Sequence, residues 1–225
     1  MDKTKRGMYN VPESILNVNN GKIERVRDYA LENMPKLPYH NFNHAEEFVS
    51  AVRELTYHER CTYYEAFCLI TAGYLHDIVY VVGAKDNEEK SAERSRIILP
   101  KFGYSLDEVE LISNGLIMAT KLPSHPDTLL ERIACDADLR NLSTEKFLEN
   151  NDAIRRELRC DNLLAWQEGT LKFMANHEYY TPSAKRLWTG GKMQNLAVLV
   201  NVIEATYDSA VDKSIELGRD NVEEF

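Results

Sequence analysis

Residues 63–80 read YYEAFCLITAGYLHDIVY. The run is apolar almost all round, so it predicts a helix buried on every side at the centre of the molecule. Near its end an imidazole and a carboxylate stand side by side, His76 and Asp77. A buried carboxylate is costly unless it is paired or bound to a cation. The run therefore predicts both a core and a demand for partners inside that core.

Outward from this helix, the chain reads as helix after helix. Towards the N-terminus, Ser14 to Asn33 has partial helical periodicity, and Pro35 and Pro38 break the chain before Tyr39. Asn43 to Glu59 follows, with Phe48, Ala51, Val52 and Leu55 as one stripe. On the other side, Val81 to Lys85 is a loop. Asp86 with Glu89 then resembles a capping box, opening a helix to Leu99 that stops at Pro100 and Gly103. Ser105 with Glu108 starts another, through Thr120. Further helices are expected over Thr128–Leu142, from a Ser143 cap to about Arg159, over Leu163–His177 and over Met193–Ala210, before an acidic, frayed tail from Asp220. Strand-like alternation nowhere lasts more than a few residues. The expectation is an all-α, compact helical bundle forming one domain over 1–225. Its motif-bearing core spans about 35–145, and the helices of about 146–215 pack on it.

The chain has 225 residues, 44% of them apolar, enough for a sizeable core. Its formal net charge of −9 argues against a nucleic-acid polymer or an anionic membrane surface as the main partner. Cys61, Cys68, Cys135 and Cys160 form no CxxC pair, which suits reduced thiols. The start lacks the apolar run of a signal peptide, and no stretch approaches a membrane helix of about 20 apolar residues. A cytoplasmic location is expected, and a homo-oligomer is compatible with the sequence.

Three segments carry chemistry: His40 to His44, His76-Asp77, and Asp136-Ala137-Asp138. His44 is in line with Phe48, Ala51, Val52 and Leu55, so it belongs to a face that should be buried. Two imidazoles with two carboxylates form a mixed nitrogen and oxygen set. That set suits Mn²⁺, Fe²⁺, Co²⁺, Ni²⁺ or Zn²⁺ better than Ca²⁺. Asp136 and Asp138 are two apart, so one helix does not aim both at one ion.

The ordered motifs YHNFNH (39–44), HDIVY (76–80), NEEKSA (87–92), MATKLPSH (118–125) and DADL (136–139) resemble a bacterial group of predicted metal-dependent phosphohydrolases of the HD superfamily. YHNFNHA is also similar to the signature of class I cyclic-nucleotide phosphodiesterases. The resemblance runs from about residue 35 to 145. It continues more weakly to about 200 through Ile154–Glu157, Trp166 and Asn195-Leu196. It implies a divalent metal, Mg²⁺ included, held by His44, His76, Asp77 and Asp138. Asp136 is the alternative last ligand, and Asp77 would bridge to a second ion where two are bound. It implies hydrolysis of a phosphomonoester or phosphodiester of a small, nucleotide-like molecule by metal-activated water, with His40 as general acid. Glu88 would position the water, although an acid in the first turn of a helix also suits the dipole. Lys121, His125, Arg140 and Asn41 are candidate substrate contacts, and holding the turn is a second role expected of Asn41. The spacing from Thr120 to His125 is stretched, and the segment around Gly190-Gly191-Lys192 matches poorly. Two alternatives remain open: a non-catalytic nucleotide-sensing module, and an HD-type di-iron oxygenase. For the second, the single histidine between Asp77 and Asp138 is one too few.

Overall fold

The structure is a computed structural model that describes residues 13–220, with side chains over 19–208. The first twelve residues and the tail beyond Asp220 lie outside the described residues. All regular structure among the described residues is helical. The α-helices are α1 (Glu13–Asn33), α2 (Phe42–His58), α3 (Tyr63–Leu75), α4 (Asn87–Ile98), α5 (Leu106–Glu110), α6 (Leu129–Asp138), α7 (Phe147–Glu157), α8 (Leu163–Asn176) and α9 (Pro182–Asp220). No helix among the described residues is long and apolar enough to cross a membrane.

α3 is the central helix, packed against α1, α2, α6 and the segment after α5. Every residue from Phe67 to Leu75 is buried. Its start is fixed by a reciprocal cap: the Glu65 N–H donates to Thr62 Oγ1 (3.2 Å), and the Thr62 N–H donates to Glu65 Oε2 (2.6 Å). Its end differs from the sequence expectation. The α-helix stops at Leu75, with His76 as its C-cap, so His76 and Asp77 sit in the turn just beyond the helix rather than inside it. α2 crosses α3 at Gly73, where a Cβ would fall 2.6 Å from Phe48 Cδ1 and 3.0 Å from Val49 Cγ2. Only glycine lets the helix bearing His44 come this close to the one that leads into His76.

Several other boundaries are corrected. Asp86 precedes α4 but makes no side-chain cap; it pairs with Lys90 (2.8 Å), while Glu89 pairs with Lys121. The helix opened by Ser105 and Glu108 does carry its capping box, then widens to a π-helical turn over Leu111–Ile117. α6 ends at Asp138 and continues as a 3₁₀ turn, Leu139–Ser143. Ser143 caps nothing, since α7 starts after Lys146 without a side-chain cap; its hydroxyl donates to Arg140 O (3.0 Å). The last helix begins at Pro182, well before Met193, and runs unbroken through Gly190 and Gly191. At Gly191 a Cβ would meet Ser143 O at 2.5 Å, so the glycine is a close approach between α9 and the 3₁₀ turn, not a break.

Most of the buried apolar residues form one cluster around α2, α3 and α6. A smaller one, of Leu142, Phe147, Met174, Leu199 and Ile203, lies where α7, α8 and α9 meet the 3₁₀ turn. The four cysteines are free, Cys68 and Cys135 buried and the other two half-buried.

Candidate metal centre

Three elements end at one point. Asn41 caps α2: its Oδ1 accepts from the Asn43 N–H (2.8 Å), and its Nδ2 donates to Leu37 O (2.9 Å) and Pro38 O (3.3 Å). The amide proposed from sequence to touch substrate is thus used in holding the turn. This fixes His44 one turn into α2, its ring packed against Tyr39. His76 Nδ1 lies 2.9 Å from Gly73 O, and a carbonyl only accepts, so Nδ1 is the donor there and Nε2 is the nitrogen turned towards the cluster. Phe48 stacks on the other face of that ring.

The two Nε2 atoms stand 3.1 Å apart. Asp77 Oδ2 is 3.1 Å from His76 Nε2 and 3.6 Å from His44 Nε2. Asp138 Oδ1 is 3.2 Å from His44 Nε2 and 3.3 Å from His76 Nε2. His44, His76 and Asp77 are all buried, and each offers a ligand atom close enough to the others to hold one ion. Burial alone would resist charge on His76, but Asp77 and Asp138 outweigh it and hold the imidazole well above its ordinary range. Burial likewise pushes Asp138 up, and the bonds from His44 and His76 more than reverse this. Two inward-facing imidazole nitrogens beside two low-pKa carboxylates form a donor set that a divalent cation fits.

Asp136, two residues before, points elsewhere. It is fully buried and accepts from the Tyr180 N–H (2.7 Å), the Thr181 N–H (2.8 Å) and the Thr181 hydroxyl (2.7 Å). Its role is to anchor the entry to α9.

A cavity of about 990 Å³ opens beside the cluster; His40, His44, Asp77, Glu88, Lys121 and Asp138 line its polar end. His40 Nδ1 lies 2.5 Å from Glu157 Oε1, and Glu157 Oε2 accepts from the Tyr39 and His40 backbone N–H groups, both at 3.1 Å. Burial pushes Glu157 up, but these bonds and the His40 ring lower it below its ordinary range. An ionised carboxylate only accepts, so His40 Nδ1 is the donor and Nε2 is left for other work. Tyr80 stacks on the ring at 3.7 Å and 13°. Glu88 is half-buried, its carboxyl raised by desolvation and by Asp77 and Asp138, against a backbone hydrogen bond that lowers it.

The remaining candidates scatter. His125 is exposed and does not line the cavity. Arg140 lies on a second cavity of about 540 Å³, its guanidinium 4.6 Å from the Trp188 ring centre and near Glu54. Tyr39, His44, Asp138 and Asn141 line both cavities, so the cluster stands between them. Sequence reasoning missed Glu157 and Tyr80. Glu157 is 117 residues from His40, and only its place in the Ile154–Glu157 segment hinted at it.

No family model, no curated protein and no solved structure matches this chain.

Proposed function

We propose that the chain is an HD-type metal-dependent phosphohydrolase that cleaves a phosphate ester of a small, nucleotide-like molecule. The convergence of the His44 and His76 Nε2 atoms with Asp77 and Asp138, at the polar end of a large cavity, carries this reading. His44, His76, Asp77 and Asp138 would hold the cation. When bound, a divalent ion there lowers the pKa of a coordinated water and polarises a phosphoryl oxygen.

The rest falls to side chains of this chain. Glu157 and Tyr80 lock the His40 ring, with Nδ1 turned to the carboxylate, so Nε2 is the atom that would hand a proton to the leaving oxygen. Glu88, with its raised pKa, is suited to accept a hydrogen bond from, or a proton of, the attacking water. Lys85 and Lys121, the two lysines lining the cavity, favour an anionic group at this end. Lys121 is held by Glu89, which limits its charge in the cavity and fixes its position.

Bound metal and hydrolysis of phosphomonoester and phosphodiester substrates, measured together for the wild type, His76→Ala and Asp138→Ala, test the proposal. Loss of both properties in folded variants is expected. Metal binding without turnover of any ester would leave a binding module. An absence of metal from the wild type would overturn the reading.

A further inference from the structure

The large cavity does not end at the polar cluster. Beyond Leu139 its wall is built by α7, α8 and the 3₁₀ turn, and none of the lining residues there is Lys, Arg, His, Asp or Glu. Phe147, Trp166 and Phe173 supply ring faces, Asn151 a carboxamide among them, and Asn141 a second where this wall meets the cluster. Asn141 Oδ1 is buried without a hydrogen-bond partner, and Asn151 accepts at its Oδ1 from Thr170 (3.1 Å). α8 turns Ala165, Trp166, Gly169 and Phe173 to the cavity, a spacing of one helical face. A Cβ at Gly169 would touch nothing within 4 Å. Its φ is not positive, so neither packing nor backbone shape requires glycine there. What it does is keep the wall low.

We infer that the α7–α8 wall selects phosphate esters that are charged only at the end facing the metal cluster and carry a neutral, planar ring with a hydrogen-bonding edge at the other. This rests on the phosphohydrolase reading for where the phosphate sits. Both lining cations are at the polar end, so a second phosphate placed against α8 would be desolvated with no counter-charge. Dinucleotides and polyphosphates are therefore disfavoured. An alkyl chain would fill the slot but leave the Nδ2 donors of Asn141 and Asn151 unpaired, whereas a ring with acceptor atoms on its edge pairs with them and stacks on the aromatic side chains. The volume, near the upper limit of about 300–1,000 Å³ for small-molecule pockets, exceeds what a phosphate group needs.

The test uses phosphonate analogues, whose P–C bond resists hydrolysis, bound to the full chain with Mn²⁺. Three probes are compared: the phosphonate analogue of adenosine 5′-monophosphate, the same molecule with an added 3′-phosphate, and decylphosphonate. Affinity is read by calorimetry and by the fluorescence of Trp166; the other tryptophan, Trp188, is buried and bonded to Glu54 away from the cavity. The first probe should bind at least about tenfold more tightly than the other two. Gly169→Leu should weaken it by about tenfold or more while metal content and Tm hold. Equal or tighter binding of either other probe overturns the inference, as does unchanged affinity in Gly169→Leu, or no binding of the first probe. If the preference holds but no ester is ever hydrolysed, the phosphohydrolase reading fails and the selective pocket stands. If esters are hydrolysed without the preference, the reverse is true.

Discussion

Where α2 crosses α3, a Cβ on Gly73 would fall 2.6 Å from Phe48, whereas on α8 a Cβ on Gly169 would meet nothing. The contrast extends to the regions around them. The α2–α3–α6 bundle is closed by large buried side chains such as Phe48, Phe67, Leu75 and Ile133. The α7–α9 region has a small apolar cluster and collects buried side-chain polar atoms without partners, at Asn150, Trp166, Gln167 and both ring nitrogens of His177, against none on α2, α3 or α6 among the described residues. Ligand atoms that must meet within tenths of an ångström need a wall that cannot relax. A wall that receives a ligand needs room. On the proposed function, the same chain meets both demands by using glycine in opposite ways.

The largest expected effect separates two neighbouring aspartates. Asp138→Ala should lower metal affinity on the order of 100-fold or more, as loss of a ligand must exceed loss of the groups that orient ligands. Asp136→Ala should keep the metal but lose about 2–4 kcal/mol of unfolding free energy, because it strands two backbone N–H groups and a hydroxyl. Metal titration alongside denaturant melts checks both. Metal loss in a folded Asp136→Ala protein would break the division between ligand and anchor.

Next in size is the link between the two regions, since Glu157 on α7 orients His40 at the entry to α2. On the phosphohydrolase reading, Glu157→Gln should reduce kcat by roughly 10–100-fold with metal content unchanged. His40→Gln should do the same, and the double variant should be no worse than either single one, because the two act as a unit. Additive losses would mean that Glu157 acts on its own.

Smaller again is the effect of a single methyl group. Gly73→Ala should cost about 1–3 kcal/mol through overpacking against Phe48. Gly169→Ala should gain about 0.5–1 kcal/mol, from helix propensity alone. Equal responses in thermal melts would erase the contrast between the packed and the open wall.

What was legible from sequence follows the same line. The all-α class came from helix signals repeated along the chain, the central helix from a run apolar almost all round over residues 63–80, and the group His44, His76 and Asp77 from polar residues placed where burial was expected. Local signals misplaced the end of α3, because a chain that turns at His76 stays apolar through Tyr80. They also started α9 at Met193 instead of Pro182, past two glycines that each cost a helix about 1 kcal/mol relative to alanine. The Ser143 carbonyl that makes Gly191 worth keeping lies far along the chain. Glu157 was out of reach for that reason as well: nothing local marks a carboxylate as the partner of a histidine 117 residues away. Residues fixed by neighbours in sequence could be read, and those fixed by neighbours in space could not.

The finest test of the looser region is its half-buried imidazole. His177 sits between Phe173 and Tyr179 with both ring nitrogens unpartnered, and Lys192 Nζ donates to its backbone carbonyl. Burial, reinforced by the Lys192 charge, lowers its pKa from 6.5 to about 4. The unfolded chain therefore binds a proton between pH 6.5 and 4 that the folded chain does not. Stability from this residue is complete above about pH 6.5, falls as the pH drops towards 4, and is flat below that. His177 is only partly buried, so the slope should be modest. His177→Phe, which keeps a ring between Phe173 and Tyr179 but cannot titrate, should flatten the fall in Tm between pH 6.5 and 4 while leaving Tm at pH 8 nearly unchanged. An equally steep fall in the variant would assign the acid sensitivity to other groups. It would also remove His177 as a weak point that sets the α7–α9 wall apart from the bundle.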